Sequence, residues 1–508
     1  VSQLPALIPT LPILAALLSL LVGLRSLRGG YLVALAGTFA AFVASVLGIW
    51  EVTTSGQPIR YAVSGWVPPI GIEFVLDHLA AYMATLITGI GVLVLMYAPR
   101  SIRHESPGKA TFTYPSMALL VAGLAGMSVT GDLFNLYVFL EIAALAAYAL
   151  LATGDRAGPF ATLRYLLIGA IGGGFYLLGV AFIYFSVGSI NMADVAVRLP
   201  DLVESPSIMS GAVLMVVGLA LKMGLFPMHF WMPDVYTNAP SSSAGLIAPI
   251  MTKVSAYAIV RLMLDVFPPG YFTEAIPIAA TIGWISAAGI LFGSILAIGQ
   301  QDYRRMLAYS SVGQIAYVGL GIGLANPIGL IGGLLHMVNH ALMKGLLFLI
   351  GGAIRWRTGL VRIPDMLGLG RKMPWTMYAF VIAVLAMVGI PPTAGFFSKV
   401  YLMIGAVQAD AWVWFAVIII SSLLSGIYFF RMVEYVFKDA QEQNAAADDS
   451  ATGGVTAREL EGAVAGEVPA SMFIPIAILS AAVILVGVFN FFIVRALLEP
   501  AVAPLVGG

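Results

Sequence analysis

The sequence predicts an all-α polytopic membrane protein with about 14 transmembrane helices and an inverted five-helix repeat. Three observations carry this. Apolar runs of bilayer length recur along all 508 residues. The chain is 60% hydrophobic and only 10% charged, where soluble proteins carry roughly 25% charge, and its mean hydropathy is +0.97. Two stretches about 170 residues apart each place proline, glycine and a cation inside a membrane run. This composition excludes a soluble globular enzyme and a disordered chain. Lys+Arg and Asp+Glu number 25 each, so no basic surface for nucleic acid is expected. Cysteine is absent, which removes disulfides, iron–sulfur clusters and thiolate metal sites.

The first run, 4–24, is followed rather than preceded by Arg25 and Arg28. A signal peptide carries its positive charge first, so this run reads as a spanning helix with its N-terminus outside. Runs at 30–50 and 74–97 complete an N-terminal three-span segment, 1–113. Spans 4–8 follow at 114–130, 134–153, 162–186, 210–228 and 244–265, forming a first repeat over 114–265. Spans 9–13, at 276–299, 308–325, 328–352, 375–402 and 411–436, form a second over 276–436. Residues 439–468 are acidic and rich in Ala and Gly, which suits a solvated cytoplasmic loop or a docking segment. A last span, 470–497, opens the closing segment 470–508. With the N-terminus outside, 17 of the 25 basic residues fall in cytoplasmic loops, 3 outside and 5 within spans. The positive-inside rule therefore places both ends outside the plasma membrane.

The repeat rests on three alignments. At offset 170, Gly224-Leu-Phe-Pro-Met-His229 faces Ala394-Gly-Phe-Phe-Ser-Lys399. At 171, Gly188–Asp194 faces Gly359–Asp365, and at 169, Glu141 and Tyr148 face Ser310 and Tyr317. Five spans separate the copies. Five is odd, so the second copy crosses the bilayer in the opposite sense. Inverted repeats hold their site near mid-membrane at broken helices. Here spans 7 and 12 are interrupted at Pro227 and at Pro391-Pro392.

Five charges fall mid-span: Glu141, Lys222, Lys253, Lys344 and Lys399. Facing lipid unpaired, they would cost roughly 12–18 kcal/mol together, at about 2.5–3.5 kcal/mol each. They must therefore meet one another, water or polar groups in the bundle interior. Arg261 lies near the outer end of its span and is expected to snorkel. His336, His340 and Lys344 are spaced i, i+4, i+8 and drift only about 80° around a helix, so they share one stripe. Imidazoles titrate near neutrality, and such a stripe can pass protons. Two other readings remain: a metal bound by the HxxxH pair, with no cysteine or neighbouring carboxylate to complete it, and histidines that are only satisfied core groups. No metal or cofactor is expected. Glu141 is either a partner for Lys222 or polar glue between helices. His229, Asp132 and Asp77 lie near span ends. They are candidates for inlet or outlet positions, though a solvated face is the plainer reading for the two aspartates.

The chain resembles the antiporter-like subunits shared by Mrp-type cation/proton antiporters and respiratory complex I. The resemblance rests on Leu221-Lys-Met-Gly-Leu-Phe-Pro-Met-His-Phe-Trp-Met-Pro-Asp234, His336-Met-Val-Asn-His-Ala-Leu-Met-Lys-Gly345 and Pro391-Pro-Thr-Ala-Gly-Phe-Phe-Ser-Lys399. Gly131-Asp-Leu-Phe-Asn-Leu-Tyr-Val-Phe-Leu-Glu141 is most similar to the D-type component of Mrp Na+/H+ antiporters. The resemblance implies a proton-translocating subunit, not an enzyme by itself, working among other membrane subunits. It implies that Glu141 and Lys222 serve an N-terminal half-channel, that Lys253 connects to the His336/His340/Lys344 stripe, and that Lys399 ends a C-terminal half-channel. Ser310 departs from the symmetry by standing where the first repeat has Glu141. Sodium could cross here or in a partner; a single mid-span carboxylate favours protons here. A proton-pumping subunit of a complex I or membrane-bound hydrogenase type redox complex is the alternative. A solute symporter acting alone lacks support from other pocket chemistry.

Overall fold

Hydrocarbon offers no partner for a backbone amide, so long apolar runs fold as helices. The computed structural model describes residues 2–154, 157–438 and 466–505. The first helices are α1 (Leu4–Gly23), α2 (Leu27–Ser55) and α3 (His78–Glu105). Between α2 and α3 lies an antiparallel hairpin, β1 (Ile59–Ala62) and β2 (Glu73–Leu76), an addition to the expected all-helical chain. The first repeat contains α4 (Ala110–Val129), α5 (Leu133–Leu151), α6 (Gly158–Val187) and a short α7 (Met192–Arg198). It continues with α8 (Pro206–Met223), α9 (Trp231–Asn238) and α10 (Ser241–Arg261).

The second repeat contains α11 (Ile278–Ile298), α12 (Tyr303–Leu324), α13 (Pro327–Thr358) and a short α14 (Leu369–Lys372). It ends with α15 (Pro374–Val388), α16 (Ala394–Gln408) and α17 (Trp412–Phe437), and α18 (Ala470–Val488) closes the bundle. Among the described residues, 13 helices are each long and apolar enough to cross a membrane. The remaining expected span, 375–402, is divided between α15 and α16, each of 15 residues. At 1.5 Å per residue, neither half spans about 30 Å of hydrocarbon alone. The acidic stretch at 439–468 lies outside the described residues except for 466–468.

The helices divide into a buried centre and a periphery. In its most apolar stretch α13 is wholly buried, and α10 and α12 are nearly so. These three carry Lys253, Ser310 and the His336/His340/Lys344 stripe. Close packing in the second repeat depends on small residues: a Cβ on Gly323 would fall 2.4 Å from Gly283 Cα.

The two repeats match contact for contact at their helix entrances. Asp132 caps α5 by accepting from the Asn135 amide, and Asp302 caps α12 by accepting from the Arg305 amide. Leu133 N–H donates to Ile190 O, and Tyr303 N–H donates to Val361 O. Met192 N–H donates to Gly131 O, and Ile363 N–H donates to Gln301 O. These pairs preserve the 170–171 offset.

The offset does not persist into the broken helices. Gly224 (φ +73°) and Gly389 (φ +90°) end α8 and α15 in the left-handed region. The next amides then reach back alike, Leu225 N–H to Ala220 O and Ile390 N–H to Leu385 O. Pro227 and Pro392 each follow a cis peptide bond three residues past the glycine. The breaks therefore align at offset 165, not at the expected 170. The first repeat holds more chain ahead of its broken helix, including α7. Lys222 precedes its break while Lys399 follows its own, so the two lysines are not equivalents.

Two polar clusters mark the bundle's ends. At one, the Glu105 carboxylate is shared by Arg304 and Arg355, each at 3.4 Å. It also accepts from the Ser241 amide, joining α3, α10, α12 and α13. At the other, Arg261 meets Asp77 at 2.5 Å and Asp265 at 2.6 Å. Arg261 therefore does not snorkel: two carboxylates hold it inside the protein.

Candidate functional site

Lys222 sits in the last turn of α8 and is buried, and its Nζ donates to Glu141 Oε1 of α5 at 3.3 Å. Glu141 is less enclosed, with 27% of its side chain exposed. The pair fits because α6 presents glycine to it. A Cβ on Gly173 would fall 2.4 Å from Glu141 Oε1, and one on Gly169 would fall 2.1 Å from the Tyr148 hydroxyl and 3.5 Å from Lys222 Nζ. An aromatic column leads from Tyr148 toward the Glu105 end. Tyr148 packs edge-on against Tyr165 (4.9 Å), Tyr165 stacks on Trp231 (4.2 Å), and Trp231 meets Tyr236 (6.1 Å). The Tyr148 and Tyr236 hydroxyls and Trp231 Nε1 are buried without a hydrogen-bond partner among the described residues. Buried polar atoms of this kind are ordinarily satisfied by water.

Lys253, wholly buried on α10, donates to Ala248 O at 2.8 Å. On α13 the predicted stripe is real: His336, His340 and Lys344 are all fully buried, and the two imidazoles lie 6.0 Å apart. Lys344 donates to Ser310 Oγ at 2.8 Å and to Leu307 O at 2.9 Å, both on α12. His336 bonds Ser398 Oγ through Nδ1 (2.9 Å) and Gln314 Oε1 through Nε2 (3.1 Å). Neither nitrogen of His340 has a partner among the described residues.

Lys399 projects from α16 back to the end of α15. It donates to the carbonyls of Met387 (3.1 Å) and Val388 (2.9 Å) and to Ser422 Oγ (3.1 Å), with Nζ 5.3 Å over the Tyr317 ring. Carbonyls at a helix C-terminus carry partial negative charge, so the break itself receives this ammonium. At offset 165, Met387 is the counterpart of Lys222. The half-helix beyond the break thus brings a cation to the place where the first repeat grows its own. Gly389 makes room: a Cβ there would lie 3.4 Å from Lys399 Nζ.

The three span-end candidates sit apart from this row. Asp77 caps α3 and pairs with Arg261. Burial raises its carboxyl, but Arg261 outweighs that and holds it below its ordinary value. Asp132 is a buried helix cap rather than part of a solvated face, and burial raises its carboxyl against the opposing amide of Asn135. His229 lies between α8 and α9, stacked on Phe226 at 5.4 Å, and burial lowers its basicity. Gln314 and Ser398 were missed because they carry no charge. Ser310, Gln314 and Tyr317 are spaced i, i+4, i+7, and that polar stripe in an apolar span was the available signal.

The arrangement can hold protons and exchange them through hydroxyl, imidazole and amine groups. A many-helix membrane bundle with a buried row of ionisable groups across an internal repeat defines a class, the ion-translocating membrane subunits. The family model described as "NADH:quinone oxidoreductase/Mrp antiporter, TM" matches residues 130–425, and the chain belongs to that family. It is 45% identical over 505 residues to the N-type component of the NADH-quinone oxidoreductase of Desulforudis audaxviator, covering 98% of both chains. It is 33% identical over 383 residues to the D-type component of the Na(+)/H(+) antiporter of Alkalihalophilus pseudofirmus, covering 75% of this chain and 76% of the relative. Among solved structures, it matches a chain of the Mrp complex from Dietzia sp. DQ12-45-1b with a TM-score of 0.85 at 26% identity, covering 99% of this chain and 97% of that one. A chain of the membrane-bound sulfane sulfur reductase, an archaeal respiratory membrane complex, matches with a TM-score of 0.87 at 27% identity, covering 99% and 98%.

Proposed function

We propose that this chain is a proton-translocating membrane subunit of a multisubunit Na+/H+ antiporter, with Glu141, Lys222, Lys253, His336, His340, Lys344 and Lys399 as its proton-transfer row. The observation that carries the reading is the Glu141–Lys222 ion pair, beside three buried lysines whose hydrogen bonds, among the described residues, go to hydroxyls and carbonyls. While the pair is closed, the carboxylate favours the charged lysine; once it opens, desolvation favours release of the proton inward. The unpartnered Tyr148, Trp231 and Tyr236 atoms support a hydrated inlet from the Glu105 end, taken here as cytoplasmic, with both termini outside the plasma membrane. Units 114–265 and 276–436 then act as two half-channels. A mid-membrane carboxylate that is one-quarter exposed is costly against lipid, which supports a neighbouring membrane subunit over Glu141.

Sodium is assigned to a partner subunit, because a dry cation site needs several convergent oxygens and this row is mainly cationic. The relative that is 45% identical over 98% of both chains favours a second reading, in which the same proton row serves a redox-driven complex. Lys222→Ala in vesicles containing the whole native complex is expected to lower proton-coupled transport by at least about 100-fold. Unchanged transport at normal expression would sink the proton-row reading. The subunits that co-purify separate the two assemblies: iron–sulfur partners indicate the redox complex.

A further inference from the structure

At the Glu105 end, several basic side chains have acidic partners. Arg304 and Arg355 share Glu105, and Arg164 and Arg305 share Asp234. Arg28 of α2 and Arg103 of α3, like Arg25 and Arg100, form no ion pair among the described residues, but these two face a common space. Both line one cavity of about 390 Å³ between the ends of α2, α3 and α4, and no carboxylate lines it. Tyr31 and Tyr114 form its inner wall with ring centroids 5.4 Å apart. Neither phenol hydroxyl has a hydrogen-bond partner among the described residues. The cavity thus offers two guanidiniums and two phenols with no competing anion.

The walls are held in place. A Cβ on Gly30 would fall 2.8 Å from Gly23 Cα, and Ser19 Oγ donates to Gly30 O at 2.8 Å, locking the start of α2 against α1. Beside the cavity, Leu21, Leu24 and Leu27 are more than half exposed, as suits a lipid-facing surface. The cavity therefore lies where a bilayer's headgroup layer meets its acyl chains.

We infer that this cavity binds a phosphate-bearing anion, the headgroup of an anionic phospholipid whose acyl chains lie along α1 and α2. Guanidinium forks match phosphate oxygens in charge and geometry, and basic pockets between spanning helices select such headgroups. The site is independent of the proton row and stands whether or not that reading holds.

Native mass spectrometry of the full chain in mild detergent tests it, with phosphatidylglycerol, phosphatidylcholine and inorganic phosphate as probes. Phosphatidylglycerol is expected to bind at least tenfold more tightly than phosphatidylcholine. The double variant R28Q/R103Q is expected to weaken it roughly 30-fold, about fivefold per arginine. R25Q/R100Q removes the same charge outside the cavity and should cost less than about fivefold. Inorganic phosphate that binds and displaces the lipid would support the phosphate site but assign it to a soluble anion. Equal losses in the two double variants, or binding by neither phosphate nor phosphatidylglycerol, would overturn the proposal. Should R28Q/R103Q fail to fold, the wild-type comparison decides, since equal affinity for the two lipids also overturns it.

Discussion

The two repeats carry the same scaffold and different electrostatics. In the first, Lys222 meets a carboxylate at 3.3 Å. In the second, Lys344 meets Ser310 at 2.8 Å, and Lys399 meets two carbonyls and a serine. The backbone devices that position these groups recur: capping aspartates at 132 and 302, left-handed glycines at 224 and 389, and proline breaks at 227 and 392. The difference teaches that the fold supplies places for buried amines, while a few side chains decide how firmly each holds its charge. An ion pair holds a proton strongly and releases it when opened; dipoles alone hold it less, and without a large rearrangement.

Exchanging the two arrangements should break that comparison. Glu141→Ser gives Lys222 the kind of partner that Lys344 has. Loss of one charge-assisted bond of about 1.5–3 kcal/mol predicts a 10- to 100-fold fall in proton-coupled transport by the reconstituted complex. If the two partner types are interchangeable, the rate will not change. The converse variant, Ser310→Asp, places a carboxylate beside Lys344. A roughly tenfold slowing at neutral pH is expected, with the optimum moved to higher pH, because a neighbouring carboxylate favours the protonated amine. A rate and pH profile identical to wild type would mean that Lys344 does not exchange protons during turnover.

The smallest effect should come from the groups orienting His336. Gln314→Ala or Ser398→Ala removes one neutral hydrogen bond, worth about 1 kcal/mol, so transport should fall about fivefold in each. The double variant tests whether both bonds act through the same imidazole: if they do, its loss departs from the product of the single losses. Strict multiplicativity would separate the two roles.

Much of the architecture was legible in the sequence. Runs of bilayer length marked the crossings, because burial in hydrocarbon is a composition-level requirement. The offset of 171 located real equivalents at Gly188/Gly359, and the structure adds Asp132/Asp302 at 170. The offset of 170 misplaced the broken helices, where motif similarity drew Lys399 onto His229. Short motifs carry no record of how much chain precedes a break. Arg261 was read as an interfacial cation because its partner Asp77 lies 184 residues away in the chain.

The order of residues alone determined which groups must be enclosed: a lysine or glutamate in an apolar span is costly wherever it faces lipid. It also placed His336, His340 and Lys344 on one stripe, since helical periodicity is local. Tertiary structure decided what each group meets. That Lys222 reaches a carboxylate, Lys344 a serine and Lys399 the carbonyl end of a helix follows from the packing of α5, α8, α12, α13, α15 and α16. These contacts join residues 11 to 81 positions apart and depend on glycine-width gaps between helices. Such gaps arise only when the whole bundle closes, because close packing is a property of facing surfaces and not of either segment alone.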